Sequence, residues 1–501
     1  MVRLRELVAI GAAALAGYAM ARSFTVGLWY LAIGALAYLV WAGRHSSKRI
    51  RFIRVGTFSF TWFATLLHWS TVLGSGAWVM LTVISALPLL LIAVKRFPES
   101  GLSSYLVPTV GLTLVELLRT NAPWGGFPWG LIAYSQVESP LMPLSRIGGD
   151  PLLAAAIVIV AVFLLNSVQS HRWVRGAGGV AFVVISTSAL GHLLSVPQST
   201  DSARVAVIQG SVPQRGYHEN KQAAEVFLNH IAVTNTLASD LLRAGTSVDL
   251  VVWPENAANR DPVQNPIERK PIQTVVDALK TPTLIGATTQ VSDGVHTYNQ
   301  AILWQPLSGP GATYNKQQLV PFGEYMPVTG PLTKVVTSLG LVVNNYVAGH
   351  EPGLFVLPQF RFGDIICFEV AYDRHFTELI GAGAQFLTVQ SNDATYALTE
   401  ESPQQFAITR LRAYEHNRAI AIATTTGISG FINNDGEVVL RTPEMNSMYA
   451  IGEVPLQSEV TFHDRHSHWF EWFIAIILFV FSWRFVRTKL QSMHTDNDLV
   501  G

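Results

Sequence analysis

The sequence predicts an α-helical membrane protein of many spans carrying an extracytoplasmic α/β sandwich domain. Three observations predict it. Of 501 residues, 49% are hydrophobic and only 14% charged, too apolar for an ordinary soluble chain. That excess is concentrated in the first two hundred residues and in one run near the end. Between them the texture changes to short β-rich runs alternating with helical stretches.

Taken in order, apolar runs fall at 7–20, 26–42, 52–73, 76–94, 104–118, 151–168 and 176–196, with an eighth at 468–486. Most approach the roughly 20 residues that cross a bilayer. The first run has the charged start and apolar middle of a signal peptide. Further spans follow at once and no small-residue cleavage site stands out, so it reads as a span. Basic residues orient the set. Arg3 and Arg5, then Arg44, Lys48, Arg49, Arg51 and Arg54, then Lys95 and Arg96, Arg172 and Arg175, and finally Arg484, Arg487 and Lys489 all fall on one side of eight spans. The positive-inside rule makes that side cytoplasmic. Both termini are then cytoplasmic, and the polar segment is extracytoplasmic. The expected division is a membrane domain of about seven spans over 1–200, a globular domain over 201–460, and a span with a cytoplasmic tail over 461–501.

A short linker, Pro197-Gln198-Ser199-Thr200-Asp201-Ser202, opens the outer domain. Strands are expected at 204–209, 248–253, 283–287, 301–304, 362–367, 386–390, 420–424 and 430–432, and helices at 222–242 and 403–418. Runs such as 248–253 lack strict alternation, as strands covered on both faces do. Net charge is zero, which removes the electrostatic case for nucleic acid.

The only cysteine, Cys367, closes the run 362–367. A single thiol forms no intramolecular disulfide and lacks the partners of a thiolate metal site, so it is either a small core residue or a nucleophile. Two other stretches also follow strands. Trp253-Pro254-Glu255 sets a carboxylate past a buried strand, and Asn315-Lys316 with Pro321-Phe322-Gly323-Glu324 offers an ammonium and a second carboxylate. Singly, Glu255 reads as a loop acid and Lys316 as a solvated lysine. Together they make a machine: Glu255 takes the thiol proton, Cys367 attacks an acyl carbonyl, and Lys316 with the Phe368 N–H stabilises the oxyanion. Glu324 and Glu369 are expected to orient the lysine or the base. No metal or cofactor is called for.

Glu, Lys and Cys in this order and these surroundings resemble the nitrilase superfamily. With a multi-span region they resemble its membrane branch, the bacterial apolipoprotein N-acyltransferases. Ser391-Asn392-Asp393-Ala394, Arg410-Leu411-Arg412-Ala413-Tyr414-Glu415 with Arg418, and Trp124-Gly125-Gly126-Phe127-Pro128-Trp129-Gly130 fit that pattern too. The resemblance implies an αββα sandwich, with Glu255 as general base, Lys316 as transition-state stabiliser and Cys367 as nucleophile. It implies ping-pong acyl transfer from a membrane phospholipid, through a Cys367 thioester, to the α-amine of an N-terminal diacylglyceryl-cysteine on an apolipoprotein. Thr395, followed by Tyr396, stands where the family has an aromatic residue. Substrate contacts are expected from Trp124, Phe127, Trp129, Asn392, Thr395 and Tyr396, although the first three equally suit an interfacial aromatic belt. The apolar stretch 328–346 reads either as a membrane-dipping arm over the site or as a helix packed on the domain. Two other functions fit parts of the pattern. One is a tethered amidase or nitrile hydrolase using the same three residues. The other is a transporter or channel with an outer regulatory domain, against which stands the small number of ionisable residues in the runs; Glu116 and Arg119 lie near the outer end of the fifth.

Overall fold

A computed structural model describes residues 2–193, 199–212, 219–327 and 345–477. Most of the expected arm at 328–346, part of the linker and the run 468–486 beyond residue 477 lie outside the described residues.

Seven helices come first: α1 (Val2–Arg22), α2 (Tyr30–Arg44), α3 (Lys48–Leu66), α4 (Ser75–Ala86), α5 (Ser103–Asn121), α6 (Ser145–Gln169) and α7 (Trp173–Leu193). They pack as a bundle in which α1 lies on α2 and α3, and α6 on α2 and α5. Two stretches, Ser75–Ala93 and Met142–Gln169, are long and apolar enough to cross a membrane by length and composition. They hold the runs 76–94 and 151–168. Three more runs overlap shorter apolar helices among the described residues, Leu7–Arg22, Tyr30–Arg44 and Gly176–Gly191. The runs 52–73 and 104–118 fall largely in α3 and α5. α3 opens on Lys48, Arg49, Arg51 and Arg54, and α5 carries Pro108, Glu116 and Arg119.

The second half is a sandwich of two six-stranded sheets. In chain order its elements are β1 (Ser202–Gln209), α8 (Glu219–Ala244), β2 (Leu250–Val252), α9 (Pro266–Leu279), β3 (Thr283–Gln290), β4 (Thr297–Gln305) and β5 (Gly309–Asn315). Then come β6 (Leu354–Val356), β7 (Arg361–Ile366), α10 (Asp373–Gly381), β8 (Phe386–Ser391), α11 (Glu401–Glu415), β9 (Ile420–Thr424), β10 (Gly430–Ile432), β11 (Val438–Arg441), β12 (Met448–Pro455) and the one-turn α12 (Phe462–Arg465). The sheet orders are β12-β1-β2-β3-β4-β5 and β11-β10-β9-β8-β7-β6. In each, three central strands run parallel, β1-β2-β3 and β7-β8-β9.

Period-two patterning explains the layers. In β1, Val205 and Val207 face the second sheet, whereas Ala206 and Ile208 face α8 and α9. In β8, Phe386 points between the sheets while Leu387 and Val389 point outward. Both faces of each central strand are buried, hence the missing alternation. The outward face of the second sheet, covered by α10 and α11, belongs to the same apolar core as the bundle, from Met20 and Leu39 through Leu153 to Ile365 and Leu411.

Several expectations shift. Cys367 lies outside the strand: β7 ends at Ile366, and Cys367 opens a 3₁₀ turn. The helix α9 is hidden in the sequence by Pro271, yet Asn265 caps it, its side chain accepting from the Ile267 N–H at 3.0 Å, and Pro266 starts it. The strand β11 is exposed throughout, so burial leaves no pattern in it.

Candidate active site

Of the three candidate groups, Glu255 and Cys367 follow the carboxyl ends of parallel strands, one in each sheet, the end where open α/β sheets form their crevices, and Lys316 follows β5 at the edge of the first sheet. Past β2 the chain turns through Trp253 and Pro254 to Glu255. A side chain on Gly286 of β3 would come within 2.2 Å of the Pro254 carbonyl oxygen, so the glycine makes room for the turn. Past β5 comes Lys316, its N–H bonded to the Asn299 carbonyl at 2.8 Å. Past β7 comes Cys367, held at φ +53°. A non-glycine residue in the left-handed region costs on the order of 1–3 kcal/mol, strain that is typical of functional sites.

Lys316 is 1% exposed and bridges two carboxylates, Glu255 Oε1 at 3.0 Å and Glu324 Oε1 at 2.9 Å. Asn299 Nδ2 spans the same two atoms, at 2.6 and 2.9 Å. The remaining oxygens are held by backbone: Glu255 Oε2 by the Asn392 N–H at 2.9 Å, Glu324 Oε2 by the Val320 N–H at 2.7 Å. Burial alone depresses the lysine ammonium, but Glu255 and Glu324 outweigh it and hold Lys316 well above its ordinary value. The Cys367 thiol is pushed well up, first by burial and then by the Glu255 charge, with Lys316 opposing. Both causes favour the neutral thiol, and Glu255 is the carboxylate that acts most strongly on it.

Glu369 touches neither Lys316 nor Glu255 by its side chain and acts on the lysine through the backbone that follows it. It accepts from Tyr314 Oη at 2.9 Å, from the Gln317 and Gln318 N–H groups at 2.7 and 3.0 Å, and from the Ile366 N–H at 2.8 Å. It thus pins the lysine loop to the end of the cysteine strand.

Cys367 opens on a cavity of about 390 Å³ between the two halves. Of the expected contacts, Trp124, Phe127, Trp129, Thr395 and Tyr396 line it, together with Phe368. Asn392 does not line it; its backbone holds Glu255. The bundle contributes Trp69, Ala77 and Met80. Phe368 stacks on Phe127 and Trp129, with centroids 5.6 and 6.2 Å apart. Trp129 Nε1 donates to Gln404 Oε1 of α11 at 2.7 Å. Sequence reasoning missed Asn299 and Glu401. Asn299 lies mid-strand with no motif around it, and Glu401 reads as an acid of a helix first turn, although it lines the cavity.

Behind α10 and α11, Asp373, His416 and His463 bring ligand-type atoms within 4.8 Å of one another. They belong to an ion-pair network: His416 Nδ1 lies 2.6 Å from Asp464, and Arg412 reaches Asp150 at 3.1 Å.

The family profile of the apolipoprotein N-acyltransferase N-terminal domain matches residues 13–163, and that of carbon-nitrogen hydrolase matches 204–463. An apolipoprotein N-acyltransferase from Mycolicibacterium smegmatis is 34% identical over 354 residues, 66% of this chain and 59% of that protein. The chain thus spans under two thirds of that relative's length. One from Geobacter metallireducens is 27% identical over 488 residues, 92% of each. Among solved structures, a CN-hydrolase superfamily protein from Xanthomonas campestris matches at TM-score 0.38 and 15% identity, over 51% of this chain and 91% of that one. An amidase from Nesterenkonia sp. matches at TM-score 0.38 and 16% identity, over 53% and 94%. The chain belongs to the carbon-nitrogen hydrolase family and joins that fold to the apolipoprotein N-acyltransferase N-terminal domain.

Proposed function

We propose that the chain is a membrane-embedded N-acyltransferase that moves a fatty acyl group from a phospholipid to the N-terminal α-amine of a diacylated apolipoprotein. The observation that carries it is Cys367, in the wall of an apolar cavity formed partly by the helical bundle, with the Glu255–Lys316–Glu324 cluster beside it. A hydrolase of small polar amides has no use for such walls.

Glu255 takes the Cys367 proton and the sulfur attacks the ester carbonyl. Lys316 and the Phe368 N–H face the oxyanion. The C–O bond breaks, the proton passes to the leaving oxygen, and a lysophospholipid departs from the thioester. The acceptor amine then attacks, the C–S bond breaks, and an amide and the free thiol result. Trp124, Phe127, Trp129, Thr395 and Tyr396 guide the chains, and the dry wall favours amine over water. The bundle over 1–200 and the segment over 461–501 cross the inner membrane eight times, both ends cytoplasmic, with 201–460 outside. Two helices of spanning length and the apolar runs support that topology.

Incubation with phospholipid and a diacylated lipopeptide tests the reading. Cys367 gains the mass of one acyl chain, and the peptide's free amine disappears. Release of free acid with the amine intact means hydrolysis instead. Cys367→Ala, Glu255→Gln and Lys316→Ala each abolish transfer; wild-type turnover in Cys367→Ala sinks the mechanism.

A further inference from the structure

Acyl transfer to an amine needs more proton acceptors than the Glu255 cluster provides. An α-amine, with a pKa of roughly 8, arrives mostly as ammonium at neutral pH. Ammonium plus thioester gives amide, thiol and one proton left over. Glu255 can carry one proton from nitrogen to sulfur, but the proton lost before attack must go elsewhere. Both Glu255 oxygens are already held, by Lys316, Asn299 and the Asn392 N–H.

Glu401 stands where the second acceptor is needed. It opens α11, is 5% exposed, and is the one carboxylate of the cavity wall among the described residues. Its Oε2 has no hydrogen-bond partner. The wall beside it is aromatic: Trp69 meets Tyr396 edge-on at 5.3 Å and Trp129 at 5.7 Å. Rings of this kind attract a cation. Burial, then the neighbouring Asp393, lifts the Glu401 carboxyl well above the usual carboxylate range. Glu255 and Glu444 act in the same direction, with the Ser402 hydroxyl opposing. Cys367 and Tyr396 line the same cavity and feel the Glu401 charge. The lift brings a carboxylate nearer the basicity an ammonium demands.

We propose that Glu401 is a second catalytic carboxylate, which receives the acceptor's α-ammonium in the cavity and removes its first proton. This rests on the acyl-transfer reading above. The N–H bond breaks to Glu401, the freed lone pair forms the C–N bond, the C–S bond breaks, and Glu255 carries the second proton to sulfur. Glu401 returns its proton to water when the product leaves.

The test separates the half-reactions in the full chain in phospholipid vesicles. Glu401→Gln still charges Cys367, seen as the acyl mass, but discharges to a diacylated lipopeptide roughly 100-fold more slowly near neutral pH. That defect shrinks as the pH passes the pKa of the amine. Hydroxylamine, uncharged at neutral pH, discharges variant and wild type alike. Three results overturn the proposal: equal discharge to lipopeptide, equal slowing with hydroxylamine, or a defect confined to charging from ethanolamine-headed as against glycerol-headed phospholipid. The last would make Glu401 a headgroup contact. A wild type that never forms the thioester overturns the acyl-transfer reading itself.

Discussion

At Glu369 one fully buried carboxylate gathers four donors, from β5, the lysine loop that follows it and the end of β7. Glu369→Ala strands those donors, each costing about 1–3 kcal/mol when unsatisfied. The expected outcome is a loss of about 3–5 kcal/mol in unfolding experiments together with lost activity, because the lysine loop and the cysteine turn come apart. Glu324→Gln is different in kind. It keeps the shape and the amide can still accept from Lys316, but the second negative charge goes. Acyl transfer should fall by about 10²–10³-fold, at a stability cost of about 1–3 kcal/mol because the new NH2 meets the Val320 N–H, and an unchanged rate would remove Glu324 from the cluster. At this scale much was legible: glutamate, lysine and cysteine each follow a strand in recognisable company. Asn299 and Glu401 were not, since their importance comes from the partners that folding brings, Glu255 and Glu324 for one and the cavity for the other.

At the scale of elements, α6 is two helical pieces meeting at Gly148 and Gly149, the latter at φ +64°. A side chain at Gly149 would come within 2.7 Å of the His463 ring and 3.1 Å of Glu415 Oε1. Gly149→Ala should therefore cost about 1–3 kcal/mol, read from thermal melts. The imidazoles near this corner predict a pH dependence. Burial opposes their charge, but Asp464 and Asp373 outweigh it and hold His416 up to about 9; Asp373 chiefly does the same for His463, up to about 10. Folded pKa values above the unfolded value of about 6.5 mean that the folded state holds the extra protons between those limits. The stabilisation is complete below about pH 6.5 and lost as pH rises through about 9 to 10. Melting temperature should drop across that window, and His416→Gln should flatten the drop. The central strands were readable because both their faces are apolar, even in the three-residue β2. The short or exposed ones, β6 and β11, leave no such pattern, and β5 is interrupted by Gly309, Pro310 and Gly311.

At the scale of the molecule, the two halves share one apolar core and a set of polar ties. Arg146 of α6 donates to the Tyr414 and Asn434 carbonyls at 2.9 and 2.8 Å and lies over the Tyr414 ring. Tyr372 Oη donates to the Gly126 carbonyl at 2.8 Å, and Gln404 ties α11 to Trp129 and to Leu66. The last described segment, over 469–477, returns to the bundle, where Phe470 and Ile474 pack with Val110 and Ala155. A protease site introduced at 199–201 should consequently leave the nicked halves bound through purification and active. Separation on nicking would show that the chain connection, not the shared core, holds them. No sequence pattern announces this union, because each half reads as complete in itself: apolar helices on one side, a covered sandwich on the other.

The stack of Phe368 on Phe127 and Trp129 has a mechanical corollary. The residue immediately after the sulfur is gripped by rings from the opposite half, so the nucleophile has no hinge on which to swing. In the proposed reaction, donor and acceptor are each flexed toward a stationary sulfur, and turnover should be limited by how readily they bend into place and withdraw.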